Sequence, residues 1–134
     1  MNINNYVGVP FIMDGSSLSG CNCWTLLRII YKNEFDIELP KFADEFAATK
    51  IEETKELGLL AELESQAHWV QSIAPKTGDC VLIRVRGSAY HVGMYIERGK
   101  VLHMLTNQPS LIERTTSNFI GKRIIGYYRH QSRA

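Results

Sequence analysis

A single change of pattern, at the turn segment APKTGD (residues 74–79), most constrains what this sequence can fold into. Before it, apolar residues recur with a helical period. After it come the short strand-like runs CVLIRV, HVGMYI, KVLHML, SLIERT and RIIGYY, each bounded by turn residues. Helices first and strands afterwards predict an α+β domain, in which N-terminal helices pack on an antiparallel sheet of five to six strands. A chain of 134 residues is long enough for one core and too short for two, so residues 1–134 are expected to form a single domain.

The helical half divides in two. From Cys23 to about Lys32, Trp24, Leu27, Ile30 and Tyr31 fit a 3.6-residue period, with Leu26 and Ile29 broadening the stripe, so this helix is mostly buried. The segment NEFDIELPKF ends it. Beyond Pro40 an acidic stretch, residues 51–70, carries a second helical stripe that runs to His68. Ahead of the first helix, YVGVPFIMDGSSLSG is rich in Gly and Ser and reads as an extended loop with helix-start signals at its end.

Composition excludes several classes. No apolar run reaches the 18 residues of a membrane span, and the opening MNINNYVGVPFIM lacks the basic region of a signal peptide. The protein is therefore expected to stay where it is made or to be carried out by something else. Three cysteines without a scaffold-like spacing favour folding in a reducing compartment. The net charge of +1 hides an asymmetry: residues 34–64 hold ten acidic and three basic side chains, residues 76–134 ten basic and three acidic. That pattern fits a solvated helical face followed by polar-edged strands, or a basic surface facing an anionic partner. Nucleic acid is not expected, because no aromatic residues interleave with the basic ones.

The chemistry rests on GCNCWTLL, residues 20–27. A Cys21–Cys23 disulfide would close a strained ring, and a lone C-x-C lacks the second ligand pair of a zinc site, so no metal is expected. Cys80 falls in a core strand and reads as an inert thiol. Cys23 stands at the predicted helix start, where the macrodipole lowers a thiol pKa and backbone N–H groups can hold an oxyanion. It is either a nucleophile or a small buried hydrophobe.

A thiol nucleophile needs a base, and the hairpin HVGMYIERGKVLHML carries two histidines. A three-residue loop, Glu97-Arg98-Gly99, with Gly99 left-handed, pairs Ile96 with Lys100. Counting outward, His103 faces Gly93 and lies diagonal to His91 on one side of the sheet. One imidazole would then act as base and the other would orient it; a two-residue loop would separate them. His68 and His130 read as satisfied core residues.

In their order, YVGVPFIMDGSSLSGCNCWTLLRIIY, GDCVLIRV, HVGMYI and VLHM resemble the NlpC-type (NlpC/p-sixty) cysteine peptidases, papain-like enzymes that cut peptidoglycan stem peptides. The resemblance runs from Tyr6 to about Tyr128. It implies Cys23 as nucleophile, His91 as base and His103 as the partner that orients it, with no cofactor. Where the family usually has a tyrosine in the N-terminal loop this chain has Phe11, and for the usual DCSG it has NCWT. Phe11, Asn22 and Trp24 are thus the residues implied to meet substrate. The Trp after the cysteine and the ELP after the helix look most like tail-tip peptidases of long-tailed bacteriophages. The family resemblance implies cleavage of the D-γ-glutamyl–diaminopimelate bond, and the tail-tip likeness implies tail-hub or tail-tip proteins as partners. It also implies synthesis in the host cytoplasm, carriage in the virion tail tip and action in the host periplasm or cell wall. The alternative is a tail-tip structural module that keeps the fold around a degenerate site.

Overall fold

The computed structural model describes residues 1–40, 68–86 and 89–133. A short 3-10 turn (Ile3–Tyr6) leads into a loop that folds back on itself through β1 (Ser16–Ser17) and β2 (Gly20–Cys21). The helix α1 (Cys23–Phe35) follows, then six strands: β3 (Trp69–Ser72), β4 (Cys80–Arg86), β5 (Ala89–Tyr95), β6 (Lys100–His103), β7 (Leu111–Arg114) and β8 (Ile124–His130). These six form one sheet in the order β3-β8-β4-β5-β6-β7, with every neighbouring pair antiparallel. The architecture is the expected α+β arrangement, and all five predicted strand runs are present.

The helix starts because Asn22, in extended conformation, accepts the Thr25 N–H on its side chain at 2.9 Å and so satisfies one orphan donor of the first turn. It buries Cys23, Trp24, Leu26, Leu27, Ile30 and Tyr31, the expected stripe. It ends at Asp36, whose left-handed backbone (φ 54°) turns the chain out, one turn later than the predicted Lys32. Side chains hold that last turn: Tyr6 donates to Glu34 at 2.6 Å, and Phe35 sets its ring edge-on to Tyr31 and under the Arg133 guanidinium.

The second predicted helix needs correcting at its end. Trp69 and Val70 belong to β3, which pairs with β8. Trp69 is fully buried against Tyr31 and Val70 is half exposed, the alternation of a strand. Residues 51–67 of that stretch lie outside the described residues. Among the described residues no helix is long and apolar enough to cross a membrane.

The sheet is buried on both faces. Cys80, Leu82, Val92, Met94 and Leu102 pack with α1, while Val81, Ile83, Val101 and Ile120 form a separate cluster with Tyr95, Ile124 and Tyr127. One ionic clamp locks the turn before β4. Asp79, fully buried, accepts from Arg129 at 2.8 and 3.0 Å, from the Lys76 N–H at 2.9 Å, and pairs with Arg133 at 3.5 Å.

Candidate active site

Cys23 is the first residue of α1, so its sulfur lies at the positive end of the helix dipole. The helix start is tied to the preceding loop: Asn22 Nδ2 donates to the Met13 carbonyl at 2.8 Å, Cys21 N–H to Pro10 at 3.1 Å, and Ile12 N–H to Cys21 at 3.0 Å. Two glycines permit this crossing. A Cβ on Gly15 would lie 2.0 Å from the Gly20 carbonyl oxygen, and one on Gly20 would lie 2.1 Å from Ile12. The other two thiols sit in the core. Burial, with a smaller contribution from Cys23, pushes the Cys21 thiol up to about 11, and burial pushes Cys80 up further. Both stay protonated at neutral pH.

The β5–β6 hairpin has the predicted register. Gly99 is left-handed (φ 74°), Lys100 N–H donates to Glu97, Ile96 N–H donates to Lys100, and the ladder runs out to Gly93 opposite His103. His91 Nε2 lies 2.9 Å from His103 Nδ1, with the rings inclined at 67°. Gly93 makes room for this. A Cβ there would meet Leu102 O at 2.7 Å, Val101 Cγ1 at 2.9 Å and His103 Cβ at 3.0 Å.

The chain of contacts goes further than the sequence indicated. His103 Nε2 lies 2.8 Å from Glu113 Oε1 on β7, and Ser117 Oγ donates to Glu113 Oε2. Val101 pairs with Glu113, so His103 and Glu113 are diagonal neighbours on one face, the relation that also joins His91 to His103. Burial and the neighbouring His91 lower the His103 pKa, against the opposing pull of Glu113 and Cys23, so the ring is neutral at pH 7. Burial pushes the Glu113 carboxyl up, but hydrogen bonds from Ser117, His103 and the Ile120 backbone outweigh it and hold the group low, hence ionised.

Register sets the two imidazoles on the face of Val81, Ile83 and Val101, whereas α1 packs on the face of Val92, Met94 and Leu102. The thiol and His103 of the pair come together where the β5–β6 ladder ends. Cys23, Leu27, Val92, Gly93, His103 and Met104 line one small cavity between α1 and that end of the sheet. Cys23, His91 and His103 are 3, 2 and 1 % exposed, so the constellation is enclosed.

The residues expected to meet substrate are differently placed. Trp24 is buried, and its indole N–H donates to the Pro40 carbonyl at 2.8 Å, so it fills the core beneath the helix instead of lining an opening. Asn22 is buried too and serves as helix cap and loop tie. Phe11 is partly exposed, bridged to Cys21 and packed on the core edge. His68 is exposed, contrary to the core reading, because it lies at the start of an edge strand and stacks on His130 at 5.9 Å.

Comparison with known proteins bears on what this fold belongs to. Over 119 residues the chain is 24% identical to the murein DD-endopeptidase MepS/murein LD-carboxypeptidase of Escherichia coli K12, covering 89% of this chain and 54% of that protein. It thus spans about half the length of the curated relatives it matches. NlpC1 from Trichomonas vaginalis superposes with a TM-score of 0.64 at 19% identity, over 93% of this chain and 40% of that one. The NlpC/p60 domain of the peptidoglycan hydrolase SagA superposes with a TM-score of 0.56 at 17% identity, over 84% and 83%. At these identities the structures establish a shared fold. Residues 8–129, which take in the loop, α1 and the whole β5–β6 hairpin, match the model of the NlpC/P60 family, and this chain belongs to that family.

Proposed function

We propose that this domain is a thiol endopeptidase that cleaves peptidoglycan stem peptides. The observation that carries the reading is the hydrogen-bonded His91–His103 pair, of which His103 lines a cavity together with a cysteine at a helix start in an NlpC/P60 chain. The E. coli relative is named as a murein endopeptidase and SagA as a peptidoglycan hydrolase, and both names support this substrate class. In the mechanism, His91 takes the Cys23 proton and the thiolate attacks the amide carbonyl. The helix-start N–H groups stabilise the oxyanion, His91 returns its proton to the leaving amine, and water releases the acyl-enzyme. His103 orients His91 throughout. No cofactor takes part.

The scissile bond we assign, from the family resemblance, is D-γ-glutamyl–diaminopimelate, and the setting a phage tail tip, on the strength of the Trp24 and ELP signatures. In that setting the domain is made in the host cytoplasm, docks on tail-hub proteins and opens the wall from the virion as DNA is delivered. The E. coli relative is named for a DD bond, so end-group analysis of the digest discriminates the two cleavages. Digestion of purified peptidoglycan by the wild type and not by Cys23→Ala is the expected result. A second reading, a structural tail module with a degenerate site, draws on the burial of Cys23 and the absence of a hydroxyl at Phe11. No digestion by the wild type would select it.

A further inference from the structure

We propose that Glu113 is a positioning residue of this site: through His103 it holds His91 in the tautomer whose Nδ1 carries no hydrogen and can take the Cys23 proton. An ionised carboxylate only accepts, so the 2.8 Å contact between His103 Nε2 and Glu113 Oε1 carries its hydrogen on His103. A neutral His103 has one N–H. With that N–H given to Glu113, its Nδ1 can only accept, and the 2.9 Å contact to His91 carries its hydrogen on His91 Nε2. A neutral His91 is then left with an unprotonated Nδ1, the nitrogen turned away from His103.

Glu113 is built to stay where it is. Ser117 donates to its second oxygen, and the Ile120 backbone N–H adds to the field that keeps it charged. The groups facing His103 are His91 from β5, Glu113 from β7 and Cys23 from α1; those facing Glu113 are His103 and, from the turn after β7, Ser117 and Ile120. During the proposed reaction one proton passes from Cys23 Sγ to His91 Nδ1, leaving a thiolate and an imidazolium. No proton leaves His103 or Glu113, and the carboxylate at the far end stabilises the new positive charge through the intervening ring. The last step rests on the thiol chemistry proposed above; the tautomer assignment does not.

The test is long-range ¹⁵N–¹H correlation of the histidine rings in the resting protein, with kcat/KM against pH on a stem-peptide substrate alongside. In the wild type both His91 and His103 are expected as Nε2–H tautomers. Glu113→Gln, whose amide can donate or accept, is expected to mix the tautomers and to lower the His103 pKa by about one further pH unit. It should also reduce kcat/KM about tenfold and move its pH profile to lower pH. Glu113→Asp keeps the charge and is expected to restore both readouts. A merely structural Glu113 would lower the Tm and leave the tautomers and the profile in place, and that result overturns the proposal. Should Glu113→Gln fail to fold, Ser117→Ala, which frees one oxygen, is read on the same scale with a smaller change in the same direction. Because the rings are observed without substrate, a wild type that digests nothing would defeat the functional reading while the tautomer result still decides the role of Glu113.

Discussion

Gly93→Ala tests the geometry of the imidazole pair without touching any group in it. The added Cβ would stand 2.7 Å from Leu102 O, 2.9 Å from Val101 Cγ1 and 3.0 Å from His103 Cβ. The nearest of these is backbone in the neighbouring strand, so relief requires β6 to shift by a few tenths of an ångström rather than a side chain to rotate. Such overpacking costs about 1–3 kcal/mol. Replacing a strand glycine returns about 0.5–1 kcal/mol of backbone entropy, since Ala restricts the unfolded chain. The clash is the larger effect, and a net loss of about 1–2 kcal/mol is expected, or a Tm lower by about 4–8 °C for a chain of this size. The same shift moves the base of the His103 side chain and lengthens its 2.9 Å bond to His91. Urea unfolding measures the first effect and the chemical shift of the His91 Nε2 proton the second. A Gly93→Ala protein as stable as the wild type, with that proton unmoved, would refute the reasoning that the bare Cα is what lets the rings meet.

Three further outcomes follow from the structure. Alkylation of the native protein at pH 8 is expected to label Cys21 about a hundredfold more slowly than an ordinary exposed thiol, the ratio of thiolate fractions at pKa values of about 11 and 9; mass spectrometry showing comparable rates would refute its burial. Acid should destabilise the fold in two stages. The folded pKa of His103 lies below its unfolded value of 6.5, so stability is full above that pH and falls as pH drops below it; Glu113 is held below 4.5, and its contribution is lost only as pH falls through its lower folded value. Thermal melts of His103→Asn should show the first stage diminished, and an unchanged first stage would contradict the assignment. Asp79→Ala strands two guanidinium groups, those of Arg129 and Arg133, each on a side chain 19% exposed, and should cost about 3 kcal/mol in urea unfolding; a loss under about 1 kcal/mol would place the clamp among ordinary surface pairs.

The legible parts of the fold were those governed by local rules. Gly99 has the expected positive φ, Arg98 before it is left-handed too, and the turn they make fixes the parity that puts His91 and His103 together. The helix starts at Cys23 as expected, though its cap is Asn22 and not a residue of the SSLSG run. The parts that escaped depend on partners far along the chain. Trp69–Ser72 is short and ends the acidic helical pattern; it is a strand because β8, some sixty residues later, offers a free edge. Trp24, next to Cys23 in sequence, is turned about a third of the way round the helix from it and finds Pro40. Glu113 lies in the expected strand SLIERT, where its spacing alone does not point to the histidines. The β6–β7 connection is a longer loop with a left-handed Asn107, so no short turn type lets its register be counted from the sequence.

These differences in legibility reflect how the site is held. Each link from His91 to His103 to Glu113 is a diagonal between adjacent strands on one face, so the three side chains take their spacing from ladder hydrogen bonds and move only if a strand moves. Cys23 rests on another support, a helix start joined to the N-terminal loop by three hydrogen bonds, those of Asn22, Cys21 and Ile12. Substitutions in β5, β6 or β7 should therefore displace the imidazoles and carboxylate together and show first in stability. Substitutions of Asn22 or in residues 10–15 should displace the sulfur relative to an intact relay, and show as lost turnover in a protein whose histidine tautomers are unchanged.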